Sequence, residues 1–350
     1  MSGNKLRIAA FGDLLVRGNM ITTAKLPDTD RYSFEPLLEP IAPILRDADL
    51  SIGNLEVTLA GRESSYMRRN PKTRYPEFNC PDEFAAALAH SGVDVLTTAN
   101  NHCMDRGEVG LVRTLRILNK HRIAHTGTYA SKAGASKPLI LERNGIRIGI
   151  LSYTRGTNSL PVPKPWMVNR IHLPSMLRDL KNLVRVTDLP IVCIHAGPEY
   201  SHKPTGEQRR LVRMLLQHGA RLVLGSHPHV VQPAYFPSPG HFAVYSMGSL
   251  LSTRLKKNPS TLAGVILQIE IEKAPNRRVR ISDVHAVPTW VRSPEQTKSG
   301  TYQVVPIQAA LERPEEITDG EERALMQRLY QQTLDVLNLK RRSPASAVQA

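Results

Sequence analysis

Up to about residue 240 the chain alternates short apolar runs with helical patterns, the order that builds layered α/β structure. The apolar runs predict strands over Leu6–Phe11, Leu50–Ile52, Val93–Thr97, Leu139–Leu141, Ile146–Leu151, Ile191–Ile194 and Leu222–Leu224. Between them the pattern predicts helices over Glu35–Arg46, Pro81–Ser91, Gly107–His121, Pro174–Val186 and Gly206–His218. In the third, Leu111, Leu115 and Leu118 recur at helical spacing and mark one buried face. Asn144–Gly145 between two apolar runs signals a tight hairpin. Beyond residue 240 the pattern changes to strands and turns, over Phe242–Ser246, Val265–Ile271, Val279–Val287 and Gln303–Pro306, so an antiparallel part is expected to complete a parallel-rich one. Glu321–Leu337 reads as a closing helix and residues 340–350 as a loose tail. No repeat or linker compels a split, so the expected organisation is one composite domain over residues 5–310, followed by a closing segment over 311–339.

At 350 residues and 41% hydrophobic content, the chain can bury a core without disulfides or a structural metal. No apolar stretch reaches the 18 or so residues of a membrane span, and no signal peptide is visible. Cys80, Cys103 and Cys193 form no metal-type pair, which suits a reducing compartment. A cytoplasmic location is therefore expected. The formal charge of +15 favours anionic partners. The excess is scattered over clusters such as Arg68, Arg69, Lys72 and Arg74, Arg277, Arg278 and Arg280, or Lys340, Arg341 and Arg342, and aromatic residues make up only 5%, so nucleic-acid binding is not favoured.

Chemistry concentrates at strand ends, where backbone leaves the ladder and side chains can converge. Five such ends carry metal-type groups: Asp13; Asn54 with Glu56; Asn100, Asn101 and His102 with Asp105; His195 followed by Glu199 and Tyr200; and Ser226-His227-Pro228-His229. Each alone has an ordinary reading as a cap, a turn or a hydrogen-bonded histidine. The conjunction at one strand end after another is what points to a site. A two-residue spacing in extended backbone would put the His227 and His229 rings on one side. Mixed carboxylate, amide and imidazole ligation suits Mn²⁺, Zn²⁺ or Fe²⁺, in one or two ions, and a catalytic rather than a thiolate-bound structural site. Cys103, beside His102, reads as a buried structural thiol.

These motifs carry a family resemblance. Asp13, the run Asp49–Glu56, Gly92–His102 with Asp105 and Gly107, His195–Tyr200 with Pro204 and Gln208, Gly219–Gln232 and Tyr245–Ser249 together resemble the CapA family over residues 5–252, in order. The family is named for capsule and poly-γ-glutamate biosynthesis. The resemblance implies an α/β, metallophosphatase-like two-sheet sandwich flanked by helices. It implies metal ligation by Asp13, Glu56, Asn101, His195, His227 and His229, a leaving-group role for His102 oriented by Asp105, and substrate contacts from Asn54, Glu199 and Tyr200. The implied activity is metal-dependent hydrolysis of an anionic small molecule or polymer, a phosphoester or a γ-glutamyl amide, alongside capsule-synthesis proteins. The alternative is a non-catalytic metal-binding accessory subunit of a polymer synthase. Leu15 stands where the phosphoesterase pattern has histidine, and Asn54 and Glu56 stand where it uses aspartate. Ala196 replaces the family's usual Trp, and Pro198 is unusual before Glu199.

Overall fold

The computed structural model describes residues 4–238, 240–274, 279–313, 315, 317 and 319–339. The tail expected over 340–350, and Arg277 and Arg278 of the basic clusters, lie outside the described residues.

Alternation along the first strand generates the layers. Leu6, Ile8 and Ala10 join one apolar cluster while Ala9 and Phe11 join another, as a period of two requires for a strand buried on both faces. This strand, Asn4–Leu14, is central in an eight-stranded sheet. On one side it pairs in parallel with Leu50–Leu55, which continues to Val95–Thr97 and Ala124–Thr126. On the other it pairs antiparallel with Ala263–Lys273, which leads to Val279–Arg292 and Gln303–Pro306. The short Ser249–Leu251 strand lies parallel to its C-terminal end. A six-stranded sheet runs in the order Ala234–Ser238, His241–Val244, Leu222–Ser226, Leu189–His195, Ile146–Thr154 and Leu139–Arg143.

The inner faces of the two sheets meet in one cluster that joins Ile8, Ile52 and Ile269 to Ile148, Ile191 and Leu224. Outside the larger sheet, Phe11, Leu14 and Leu96 pack on Phe34, Leu38, Phe84, Leu88 and Leu118 of the covering helices. Outside the smaller one, Tyr153, Val192 and Val223 pack on Met176, Leu180, Val212 and Leu215. Each such fully buried side chain contributes about 1.5–3 kcal/mol. The architecture is thus the expected sandwich of two sheets flanked by helices.

Differences from the expected elements have local causes. The helix expected over Glu35–Arg46 is two short helices, Glu35–Leu38 and Ala42–Arg46, because Pro40 withholds a backbone donor between them. The strand expected near Phe242–Ser246 is His241–Val244; it pairs antiparallel with the edge segment Ala234–Ser238, as expected, but parallel with Leu222–Ser226 on its inner side. Asn144 and Gly145 form the expected tight turn, with both φ angles positive at 50° and 70° and Arg143 paired with Ile146. The expected closing helix runs over Gly320–Leu337, burying Met326 and Leu329 against Trp290, Val305 and Ile307. Its Glu322 accepts hydrogen bonds from Arg292 at 2.9 and 3.1 Å, both residues buried.

Removing one partner of a buried pair leaves the other charge without compensation. Glu322→Ala should therefore destabilise the fold by about 3–5 kcal/mol, read as a lower urea midpoint at unchanged m-value. A midpoint within experimental error of wild type would show that the helix is held by its apolar face alone.

Candidate metal centre

Register brings the strand ends together. Asp13 lies opposite Asn54 in one parallel pair and opposite Ser249 in another, and His195 lies opposite Ser226. Gly12 makes the second contact possible: a Cβ there would sit 1.8 Å from the Gly248 carbonyl oxygen. Ser249 in turn places its hydroxyl 3.1 Å from His229 Nδ1.

Every expected ligand converges here. His195 Nε2 lies 2.7 Å from Asn101 Oδ1, 3.1 Å from His227 Nδ1 and 3.4 Å from Glu56 Oε1. His229 Nδ1 lies 3.4 Å from Asp13 Oδ2 and 3.9 Å from Glu56 Oε2. Glu56, His195 and His227 form one group with ligand atoms within 4.8 Å of one another, and Asp13, Glu56 and His229 form a second. Glu56 belongs to both.

The rest of the protein orients these groups. Asp13 Oδ1 accepts from Asn54 Nδ2 at 2.8 Å, and its Oδ2 accepts from the His227 backbone N–H at 3.1 Å. Ser226 Oγ lies 3.0 Å from His195 Nδ1, which leaves Nε2 as the atom facing the cluster. The backbone of His227 and His229 is left-handed rather than extended, at φ 98° and 58°. Both rings therefore reach the cluster through a tight turn, which corrects the extended spacing expected from sequence. Such angles cost a non-glycine residue about 1–3 kcal/mol each. The His227–Asp13 hydrogen bond and the bond from Tyr200 N–H to Pro228 O, at 2.8 Å, hold the turn.

Both Glu56 oxygens are buried without a hydrogen-bond partner, in a position between the two groups. Burial, then the neighbouring Asp13 charge, pushes the Glu56 pKa well above the carboxylate range. Burial opposes ionisation of Asp13 too, but the His229 hydrogen bond and the His195 and His229 charges outweigh it and hold its pKa at about 2. Burial drives the His195 and His227 pKa values down to about 3, so both rings are neutral, the form that ligates. For His229 the Glu56 and Asp13 charges overcome burial and raise the pKa to about 9. Two carboxylates, an amide oxygen and three imidazoles with no thiolate form a donor set that fits divalent first-row cations.

His102 and Asp105 pair beside this cluster. His102 Nδ1 lies 2.7 Å from Asp105 Oδ2, which also accepts from the Phe78 N–H at 2.6 Å. Burial opposes a charge on His102, but Asp105 outweighs it and raises its pKa. A cleft of about 470 Å³ opens over the centre and is lined by Asn101, His102, Glu199, Tyr200 and His229. Asn54, expected at the substrate, is buried behind Asp13 instead, sharing its amide with Thr97 and Asn100. Sequence reasoning missed Asn158, whose Oδ1 accepts from Asn101 Nδ2 at 3.3 Å, and Arg17 in the cleft wall. Both follow strand ends, Arg17 after Asn4–Leu14 and Asn158 after Ile146–Thr154, but outside the motifs singled out from the sequence. Cys103 is buried and its thiol is pushed up to about 12 by burial, in keeping with a structural role.

The fold and these residues define an α/β sandwich with a candidate centre for one or two divalent cations at its strand ends. The chain belongs to the family described as bacterial capsule synthesis protein PGA_cap, whose profile matches residues 7–254. A capsule biosynthesis protein CapA of Bacillus anthracis is 23% identical over 252 residues, covering 70% of this chain and 57% of that protein. A PGA biosynthesis protein CapA of Bacillus subtilis is 27% identical over 234 residues, covering 64% of this chain and 58% of that protein. The chain therefore spans a little over half the length of these relatives. Similar solved structures include an NAD nucleotidase of Haemophilus influenzae, at TM-score 0.49 and 12% identity over 93% of this chain and 62% of that one. Another is the calcineurin-like phosphoesterase YfkN of Bacillus subtilis, at TM-score 0.45 and 14% identity over 95% of this chain and 98% of that one. Among the described residues, no helix is long and apolar enough to cross a membrane.

If the centre binds cations in the native state alone, saturating Mn²⁺ or Zn²⁺ stabilises the fold, by about 2.7 kcal/mol at a hundred times Kd. The melting temperature should rise for wild type and stay fixed for Glu56→Ala. A wild-type melting curve indifferent to both cations would show that these residues do not form a site.

Proposed function

We propose that this chain is a metal-dependent hydrolase acting in the synthesis or processing of a capsule polymer, on a phosphoester or a γ-glutamyl amide. The observation that carries the reading is Glu56, a fully buried carboxylate with both oxygens unpartnered between two groups of metal-type ligands. A structural carboxylate in that position would hydrogen-bond its surroundings.

Glu56 would bridge two ions, with Asn101, His195 and His227 on one side and Asp13 and His229 on the other. When bound, divalent cations lower the pKa of water toward about 7 and polarise an electrophilic oxygen. The remaining work falls to the chain itself. Ser226 and Ser249 fix the ligand rings by their contacts with His195 and His229. Asp105 holds His102 by its Nδ1, so that the other ring nitrogen is free to give a proton to the leaving group. Phe78, with ring centroid 4.7 Å from that of His102, packs the imidazole in place. Glu199 and Tyr200 line the cleft, where they would contact substrate.

One feature favours the second reading, an accessory subunit that binds metal without turnover. Leu15 is buried at the cleft, where the phosphoesterase pattern expects histidine. The His102–Asp105 pair weighs the other way, since a scaffold has no use for an oriented proton donor.

His102→Ala separates the two readings. It should keep metal content and fold while losing about 10²- to 10⁴-fold in rate, roughly 3–5 kcal/mol of barrier. The loss should be smallest for a nitrophenyl leaving group and largest for an alkyl one. A variant stripped of metal would make His102 a ligand, and equal turnover of both substrates by wild type and variant would remove it from catalysis.

A further inference from the structure

The cleft beside the metal centre has four cations in its lining, Arg17, Arg69, Arg74 and Lys256. The Met67–Arg69 and Pro76–Phe78 hairpin and its turn supply Arg69 and Arg74 to this lining, and the loop after Ser249–Leu251 supplies Lys256. Arg17 belongs to the same lining. Its Nη1 donates to Thr253 Oγ1 at 2.9 Å, and its guanidinium lies 5.8 Å from the centroid of the Phe78 ring. Arg17 is half-buried, and among the described residues none of these four cations makes an ion pair with a carboxylate. The neighbouring Arg68 differs in this respect: its Nε donates to Glu77 at 2.8 Å.

A half-buried guanidinium whose stem and plane are fixed but whose charge lacks a counter-ion is pre-organised for an oxyanion that comes from outside. The metal ligands are carboxylate, amide and imidazole groups, so they meet the reacting end of a substrate and leave its remaining charge to these cations. Glu199, the acidic residue of the lining, accompanies Tyr200 near the centre and repels a second anion toward the arginines.

We propose that Arg17, Arg69, Arg74 and Lys256 form a subsite for a second anionic group of the substrate, a carboxylate or phosphate removed from the bond that is cleaved. This rests on the hydrolase reading for the reacting end, but the subsite itself binds its anion without metal or turnover. The selected substrates are those carrying at least two anionic groups, and a singly charged ester fits the centre while leaving the subsite unused.

Calorimetry on full-length, chelator-treated protein tests this apart from catalysis, with pyrophosphate and γ-glutamyl-glutamate as separate probes. At least one should bind, and the tighter of the two distinguishes phosphate from carboxylate as the recognised oxyanion. Arg69→Gln combined with Arg74→Gln, on the exposed hairpin, should weaken that probe about 10- to 100-fold, and Arg17→Gln should do the same. Arg210→Gln, an exposed charge on a helix away from the cleft, should leave binding unchanged. Should Arg17→Gln fail to fold because Thr253 and Phe78 lose their link, the hairpin variant still decides. Failure of both probes to bind, or equal weakening by Arg210→Gln, would overturn the subsite. Metal uptake by the same variants should stay at the wild-type level, so failure of the subsite and failure of the metal centre read out separately.

Discussion

The structure is organised around one electrostatic constraint, a glutamate carboxylate removed from water with no protein donor to receive it. Burying an ionised carboxylate without compensation costs several kcal/mol even after relaxation. A fold tolerates this only where the group stays neutral or where a cation is its intended partner. Around Glu56 the donors point elsewhere: Asn54 and the His227 backbone serve Asp13, Ser226 serves His195, and Ser249 serves His229. Of the rings near Glu56, His195 and His227 are held neutral as lone-pair donors, while the two carboxylates draw His229 toward its charged form. That is a poor hydrogen-bonding environment and a good coordination sphere.

The sandwich explains why such a cluster can form at all. Asp13, Glu56 and Asn101 come from the ends of the larger sheet, and His195, His227 and His229 from the ends of the smaller one. The inter-sheet cluster through Ile8, Ile52, Ile191 and Leu224 sets the distance between those ends. The site therefore inherits its precision from apolar packing, and repulsion between Asp13 and Glu56 is opposed both by the core and by the local contacts of Asp13 with Asn54, the His227 backbone and His229. Left-handed backbone at His227 and His229 has the same source, since the turn is held by Asp13 on one sheet and by Tyr200 beyond the other.

What was legible in the sequence follows from this division. Period-two alternation and strand-end motifs are local, so the layers, the hairpin at Asn144–Gly145 and the strand ends that carry metal-type groups could be read from their neighbours, while the set of six candidate ligands came with the family resemblance. The break in the helix at Pro40 was also local, and the apolar periodicity around it hid that proline. Contacts that depend on register were not legible. Nothing near Asn54 says that its amide would face Asp13 instead of substrate, and nothing near Phe242 says that its strand would lie parallel to Leu222. The turn at His227 and His229 resembled extended backbone because two-residue spacing is silent about φ. The basic residues at 68–74 looked like scattered surface charge. Only the fold brings Arg69 and Arg74 into one cleft with Lys256 and Arg17.

Leu15 gains its meaning from the same geometry. Its backbone N–H donates to Leu251 O at 2.9 Å, and its side chain packs in the outer core while touching the cleft. Both ligand groups close without it, through Asp13 and His229 on one side and His195 and His227 on the other, with Glu56 common to the two. A leucine there replaces a polar donor by an apolar wall. With Glu56 counted in both, one group offers four protein donors and the other three, against the four of a closed structural site. Positions left for a substrate oxygen or water are what distinguish a catalytic centre from a structural one, and Asn101 and His229 of these groups line the same cleft as Arg17, Arg69 and Arg74. An apolar wall at Leu15 also reduces solvent access to the centre, and lower local polarity strengthens the attraction of the remaining charges for an anion. The departure from the phosphoesterase pattern is thus compatible with turnover and alters mainly what can approach the first carboxylate.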